Sequence, residues 1–87
     1  MKSTRRKNLE LSKTAFEAVK GILPERSAEH IRGFIYDYNE WGLGVEMIVD
    51  VLLEDDIAIS ASQKNAVLDA LDAMELDVAQ HNIRVRS

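Results

Sequence analysis

With 87 residues, 46% of them hydrophobic and 30% charged, the chain has room for one modest core and is too rich in apolar residues for a disordered segment. Its formal net charge is −4, and it has no cysteine, which excludes a disulfide framework, a thiolate nucleophile and a zinc finger. No uncharged apolar run approaches the ~20 residues that span a bilayer. Lys2, Arg5, Arg6 and Lys7 look like the basic start of a signal peptide, but Asn8, Glu10, Ser12 and Lys13 stand where its apolar stretch belongs. A soluble, cytoplasmic protein is the expectation.

The first amphipathic segment runs from about Thr4 to Leu23, with Leu9, Ser12, Phe16, Val19 and Leu23 at helical spacing. Gly21 and Pro24 close it, since proline cannot continue a helix. A second helix is predicted after Ser27, a suitable N-cap, with Ile31, Phe34, Ile35 and Tyr38 as its apolar face. The third starts near Asn39 or Glu40 and runs to about Glu54. Trp41, Val45, Ile48 and Leu52 make its stripe, widened by Leu43, Met47 and Val51. The fourth follows the turn Asp55–Ile59, where Ser60 and Gln63 have the spacing of a reciprocal cap. Its inward face is Val67, Ala70, Leu71 and Met74.

Val85 between Arg84 and Arg86 suggests an extended tail, with no other segment offering a strand to pair with it. The expected fold is therefore all-α, a small antiparallel bundle of about four helices. It forms a single domain over residues 1–87, with a basic arm at 1–7 and a tail at 77–87. Its expected core includes Phe16, Val19, Ile31, Ile35, Val45, Ile48, Leu52, Val67, Leu71 and Met74.

The net charge hides an uneven distribution. Residues 37–77 hold eleven carboxylates against Lys64 alone, while residues 1–7 carry four positive charges and no negative one. Glu46, Asp50 and Glu54 recur every four residues, and Asp69 with Asp72 and Glu75 repeat the pattern on the fourth helix. Like charges at this spacing destabilise a helix by ~0.2–0.5 kcal/mol per pair. A negative face kept at that cost suits a positively charged partner, although a solvated surface accounts for it as well.

Catalytic chemistry finds no purchase. His30 and His81 are the only histidines and lack partners at ligand or triad spacing. Ser27, Ser60 and Ser62 lie at helix starts, where capping explains them. Gly42 and Gly44 are better read as close helix packing than as an anion nest, because Asp37, Glu40 and Glu46 surround them. Glu54-Asp55-Asp56 lacks the alternating ligands and glycine of a calcium loop. Ser60-Ala61 does not match the prosthetic-arm serine of a carrier protein. No catalytic residue, metal or cofactor is expected, and the chain is expected not to be an enzyme.

Glu40-Trp41-Gly42-Leu43-Gly44-Val45-Glu46, followed by Ile48, Asp50, Leu52 and Glu54 and then Ile59-Ser60, resembles a family of small helical immunity proteins. These are the MafI-type proteins and their relatives in contact-dependent growth inhibition. The resemblance covers about residues 28–76. Gly44 stands where the family usually has alanine, which reads as a minor packing change.

The resemblance implies a protein that binds and neutralises the C-terminal toxin domain of a secreted effector, often a ribonuclease and in some cases EndoU-like. The charge pattern agrees, because RNA-cleaving domains carry basic surfaces. The expected toxin-binding residues are Glu46, Asp50, Glu54, Asp55 and Asp56, with Tyr38 and Trp41 beside them. The partner is then a protein, with no membrane, nucleic acid or small-molecule substrate bound directly. The alternative is an acidic helical antitoxin or regulator of a nucleic-acid-binding protein.

Overall fold

The structure is a computed structural model that describes residues 2–76 and 83–86, with side chains from residue 5 onward. Among these residues are four α-helices, α1 (Lys2–Val19), α2 (Glu25–Arg32), α3 (Trp41–Glu54) and α4 (Ala61–Ala73). A 3-10 turn at Lys20–Ile22 follows α1, and a π-helical turn at Gly33–Asp37 follows α2. The chain is a small all-α bundle.

Side-chain contacts fix the helix directions. The Gln63 amide at the start of α4 donates to the Ala18 carbonyl at the end of α1 (2.8 Å), while Met74, just past α4, meets the Ser12 hydroxyl at 3.8 Å. α1 and α4 are therefore antiparallel. Leu76, beyond the end of α4, lies 3.8 Å from where a Gly42 Cβ would stand at the start of α3, so α3 and α4 are antiparallel too. Ser12 is fully buried within the apolar stripe of α1 and is tolerated there because its hydroxyl donates to the Asn8 carbonyl one turn back (2.8 Å).

Among the described residues, fifteen buried apolar residues form the core. Nine of the ten expected are among them, and Met74 is half-buried against the cluster. Ala15, Leu23, Val49, Ala70, Ile59 and Ile83 complete it. The cap at Ser60 forms as expected: Gln63 N–H donates to Ser60 Oγ (3.1 Å), and Ser60 N–H donates to Gln63 Oε1 (2.7 Å).

The chain departs from the sequence expectation at several places, each for a local reason. Helix α2 starts two residues before Ser27. Leu23 is extended, as the residue before a proline tends to be, and Pro24 becomes the N-cap, its carbonyl accepting from Ala28 N–H (2.9 Å). Ser27 and Ser62 lie inside first turns, and of the three serines Ser60 is the one that caps. The basic segment at residues 2–7 is the opening of α1 rather than a separate arm.

The tail also finds a partner. Val85 forms an isolated parallel bridge with Ile59, through Ile59 N–H to the Arg84 carbonyl (2.9 Å) and Arg86 N–H to the Ile59 carbonyl (2.7 Å). Ile83 is buried beside it, and its carbonyl accepts from Lys64 Nζ (2.9 Å). The remainder of the expected tail, residues 77–82 with His81 and Asp77, lies outside the described residues.

Gly44 is no minor change from alanine. A Cβ there would stand 2.6 Å from Ile35 Cγ1 and 3.2 Å from its Cδ1, and Ile35 is itself fully buried. Gly44→Ala should cost ~1–3 kcal/mol of overpacking, more than the ~1 kcal/mol that alanine returns in helix propensity. Gly42→Ala meets only ordinary contact with Leu76 and should leave stability unchanged or raised by up to ~1 kcal/mol. Urea titrations of the two variants should move in opposite directions; a Gly44→Ala protein as stable as the parent would show that the approach of Ile35 is not limiting.

Helices α3 and α4 end alike. Ile57 N–H reaches the Leu52 carbonyl and Asp56 N–H the Leu53 carbonyl; Leu76 N–H reaches Leu71 and Glu75 N–H reaches Asp72. This pairing puts one residue in the left-handed region, here Asp56 and Glu75, each with φ 53°. Glycine fits that geometry best and asparagine or aspartate next, whereas the Cβ of glutamate meets the clash without a short polar group to offset it. Glu75→Gly should therefore raise stability by ~0.5–1 kcal/mol. Thermal unfolding checks it, and a lowered midpoint would count against the strain.

Candidate protein-binding face

In a regular helix each residue turns by about 100°, so Leu43, Glu46, Met47, Asp50 and Glu54 project within roughly 60° of one direction. Burial follows the same division: Gly44, Val45, Ile48, Val49 and Leu52 are buried, whereas Leu43, Asp50 and Glu54 are exposed and Glu46 and Met47 half-buried. The expected acidic stripe is therefore a real outward face of α3, continued by exposed Asp55 and Asp56.

These carboxylates are not equivalent. Asp56 is engaged: Arg84 Nε lies 2.9 Å from its Oδ1, and the same guanidinium donates to the Asp56 carbonyl (2.9 Å). Glu46, Asp50, Glu54 and Asp55 have no ion-pair partner among the described residues.

Tyr38 and Trp41 take opposite courses. Tyr38 was expected on the inward face of the second helix but is 70% exposed. The π turn is the cause, because Tyr38 N–H bonds the Gly33 carbonyl five residues back (3.0 Å), and the additional residue rotates the side chain off the Ile31–Ile35 face. Trp41 points about 160° away from the acidic direction, on the side of α3 that faces the core and α1. It is half-buried, with the Arg5 guanidinium 5.7 Å from its ring centroid. Its indole nitrogen and the Asn8 carboxamide oxygen are both buried without a hydrogen-bond partner among the described residues. The structure thus leaves Tyr38 exposed just before α3 and sets Trp41 on the opposite side of that helix from the acidic stripe.

A second polar cluster, missed in the sequence, surrounds Tyr36. Its ring meets Phe16 edge-on (centroids 6.0 Å apart), and Lys13 and Arg32 lie over it at 5.4 and 5.9 Å. Its hydroxyl donates to Glu17 Oε2 (3.0 Å), while Lys20 holds the other oxygen at 2.7 Å. The hydrogen bonds from Lys20 and Tyr36 hold the Glu17 carboxyl below its usual range, and burial followed by the bond to Glu17 pushes the Tyr36 phenol up. Lys13, Phe16, Glu17 and Lys20 recur at helical spacing along α1 and the turn after it, and Arg32 is one turn before Tyr36; what no local pattern announces is that the two sets meet.

Two surface grooves are present. One, of about 410 Å³, is lined by Lys7, Leu11, Asp69, Asp72 and Ala73; the other, of about 250 Å³, lies between α1 and α2 beside Glu17 and Arg32. The residues lining them are charged or apolar, with no serine, threonine or histidine among those described. His30 is exposed and sits 6.4 Å from the Phe34 ring centroid. Among the described residues no cluster of three metal-ligating side chains occurs, and no helix is long and apolar enough to cross a membrane. No family model, curated protein or solved structure matches the chain.

The Tyr36 phenol has a testable consequence. A raised folded pKa means that its stabilisation is fully present below the unfolded value of 10.0 and is lost as pH rises through the folded value. The stability difference between the parent and Tyr36→Phe should therefore shrink above pH 10. Parallel denaturant midpoints at pH 8 and pH 11 measure it; a constant difference would separate the phenol from Glu17.

Proposed function

We propose that this chain is an immunity protein that binds and neutralises a basic toxin domain, a ribonuclease of the contact-dependent inhibition type, through the outward face of α3. It acts by occupying a surface rather than by catalysis, and needs no cofactor or metal. The observation that carries the reading is the set Glu46, Asp50 and Glu54, aligned on one helix face, with exposed Asp55 at its end, all without ion-pair partners among the described residues. The resemblance at residues 40–60 supports it independently, since those residues form α3, its cap and the turn beyond. An acidic surface of this kind attracts the patches with which a ribonuclease holds phosphates. The cytoplasm is where such a protein would meet an incoming toxin.

The test uses purified ribonuclease domains of contact-dependent effectors, beginning with any encoded beside this chain. Association should be steered by charge, so the on-rate should fall about tenfold or more between low and physiological salt. Asp50 and Glu54 are exposed, so reversing both to lysine should act mainly on the on-rate and leave the fold as stable as before or slightly more so. Parent-like association and protection of cells by the double reversal would reduce the acidic face to a solubilising surface.

A further inference from the structure

Among the described residues three large apolar side chains are strongly exposed, and two of them, Tyr38 (70%) and Leu43 (43%), lie at the same end of α3. Phe34 packs against Tyr38 and reaches the flank of α3 next to the Leu43–Met47 face. Its ring centroid is 6.4 Å from that of Tyr38, and its Cβ lies 3.5 Å from where a Gly44 Cβ would stand, beside Leu43 on the helix. Met47, one turn further, is half-buried on the same side.

The backbone that presents Tyr38 is unusual in three respects. The turn before it is π-helical, Glu40 N–H reaches back six residues to the Phe34 carbonyl (2.7 Å), and Asn39 between them has φ 55°. A regular α-helix would have carried Tyr38 inward with Ile31 and Ile35. The inserted residue instead leaves a large aromatic in solvent, and π turns of this kind recur at functional sites. The surroundings select the occupant. From residue 33 to residue 63 the chain has seven carboxylates and no lysine or arginine, and Asp37, Glu40 and Asp50 are exposed beside the patch. A second copy of this face, or an anionic surface, would be repelled.

We propose that Phe34, Tyr38, Leu43 and Met47 form the anchoring half of the interface, an apolar step rimmed by Asp37, Glu40, Glu46 and Asp50 that receives an apolar or aromatic side chain from a basic protein surface. The assignment rests on the reading of the chain as a binder of a basic partner, and it divides the labour on α3. The acidic half sets how fast the partner arrives, and the apolar half sets how long it stays, because buried aromatic and aliphatic anchors dominate dissociation.

Methionine methyl labelling gives a direct readout. Met47 lies in the patch, while Met74 packs against the core beside Ser12 and serves as the internal reference. The probes are a synthetic amphipathic helical peptide of leucine and lysine, and any nuclease domain that binds the parent chain. Each should shift the Met47 methyl signal and leave Met74 in place. Tyr38→Ala and Leu43→Asp should speed dissociation of the nuclease domain by tenfold or more with association within about twofold, the reverse of the split expected for the double lysine variant.

Both positions are exposed, and aspartate in the first turn of a helix suits its dipole, so both variants should unfold at the parent temperature. A nuclease domain that binds while Met47 stays unshifted, or that leaves Tyr38→Ala and Leu43→Asp at parental rates, overturns the anchor and leaves the functional reading standing. A Met47 shift with the peptide alone, and no nuclease domain binding the parent, supports the anchor and removes the toxin. A Met47 signal that depends on protein concentration without any probe would make the patch a self-association surface and overturn the assignment.

Discussion

The contact on which the arrangement of α3 depends is the one between Gly44 and Ile35. A missing Cβ lets the helix backbone come so close that any side chain would stand 2.6 Å from Ile35 Cγ1. Glycine in a helix interior costs ~1 kcal/mol relative to alanine, and here the close packing of a fully buried isoleucine offsets it. This approach holds the segment after α2 tightly against α3 and settles which side of α3 faces inward. The outward side then follows from helical geometry, and it is the side that carries Leu43, Met47 and the acidic stripe.

Much of the fold was legible because its signals are local. Helical periodicity placed Phe16, Val19, Ile48, Leu52 and Leu71 in the core, and the Ser60–Gln63 spacing announced a cap that forms with both hydrogen bonds. The acidic stripe was legible for the same reason, since residues four apart on one helix must share a face. What escaped was set by register or by distance. One inserted residue at Gly33–Asp37 turned Tyr38 outward, and no periodicity can signal a π turn before it is known to be there. Ile59 and Val85 pair across twenty-five intervening residues, and neither flank resembles a strand of useful length. Of the residues widening the inward stripe, Met47 and Val51 do pack against the core, whereas the angular position of Leu43 puts it in solvent.

Not all the acids do the same work. Asp56 is part of the turn that ends α3: it adopts the left-handed conformation of the cap, and its carboxylate and carbonyl both engage Arg84. Glu75 occupies the equivalent position after α4, and Glu17 is bound to Lys20 and Tyr36. The acidic residues thus divide into carboxylates with internal partners or backbone duties and those without. Of the described carboxylates in residues 37–77, Asp56 and Glu75 have such duties, and Asp37, Glu40, Asp69 and Asp72 are unpaired elsewhere on the surface. Glu46, Asp50 and Glu54 share one face of α3, with Asp55 at its end.

The unfavourable features of the structure are also unevenly placed, with left-handed Glu75 and the unpartnered Asn8 oxygen as exceptions on the α1–α4 side among the described residues. The α1–α4 pair is built as a stable platform, with a reciprocal cap whose glutamine also satisfies the last turn of α1 and a seam of fully buried apolar residues. By contrast, a helix-interior glycine, a π turn, a left-handed Asn39, an exposed tyrosine and a row of like charges all fall between Gly33 and Glu54. Each alone has an ordinary explanation, and each runs against what local propensity or burial alone would select. Their concentration on one side is not what folding alone would select, because local choices in a sequence optimised for stability agree with one another. The side where they disagree carries both the acidic stripe and the exposed Tyr38 and Leu43, the surface proposed for this chain's partner.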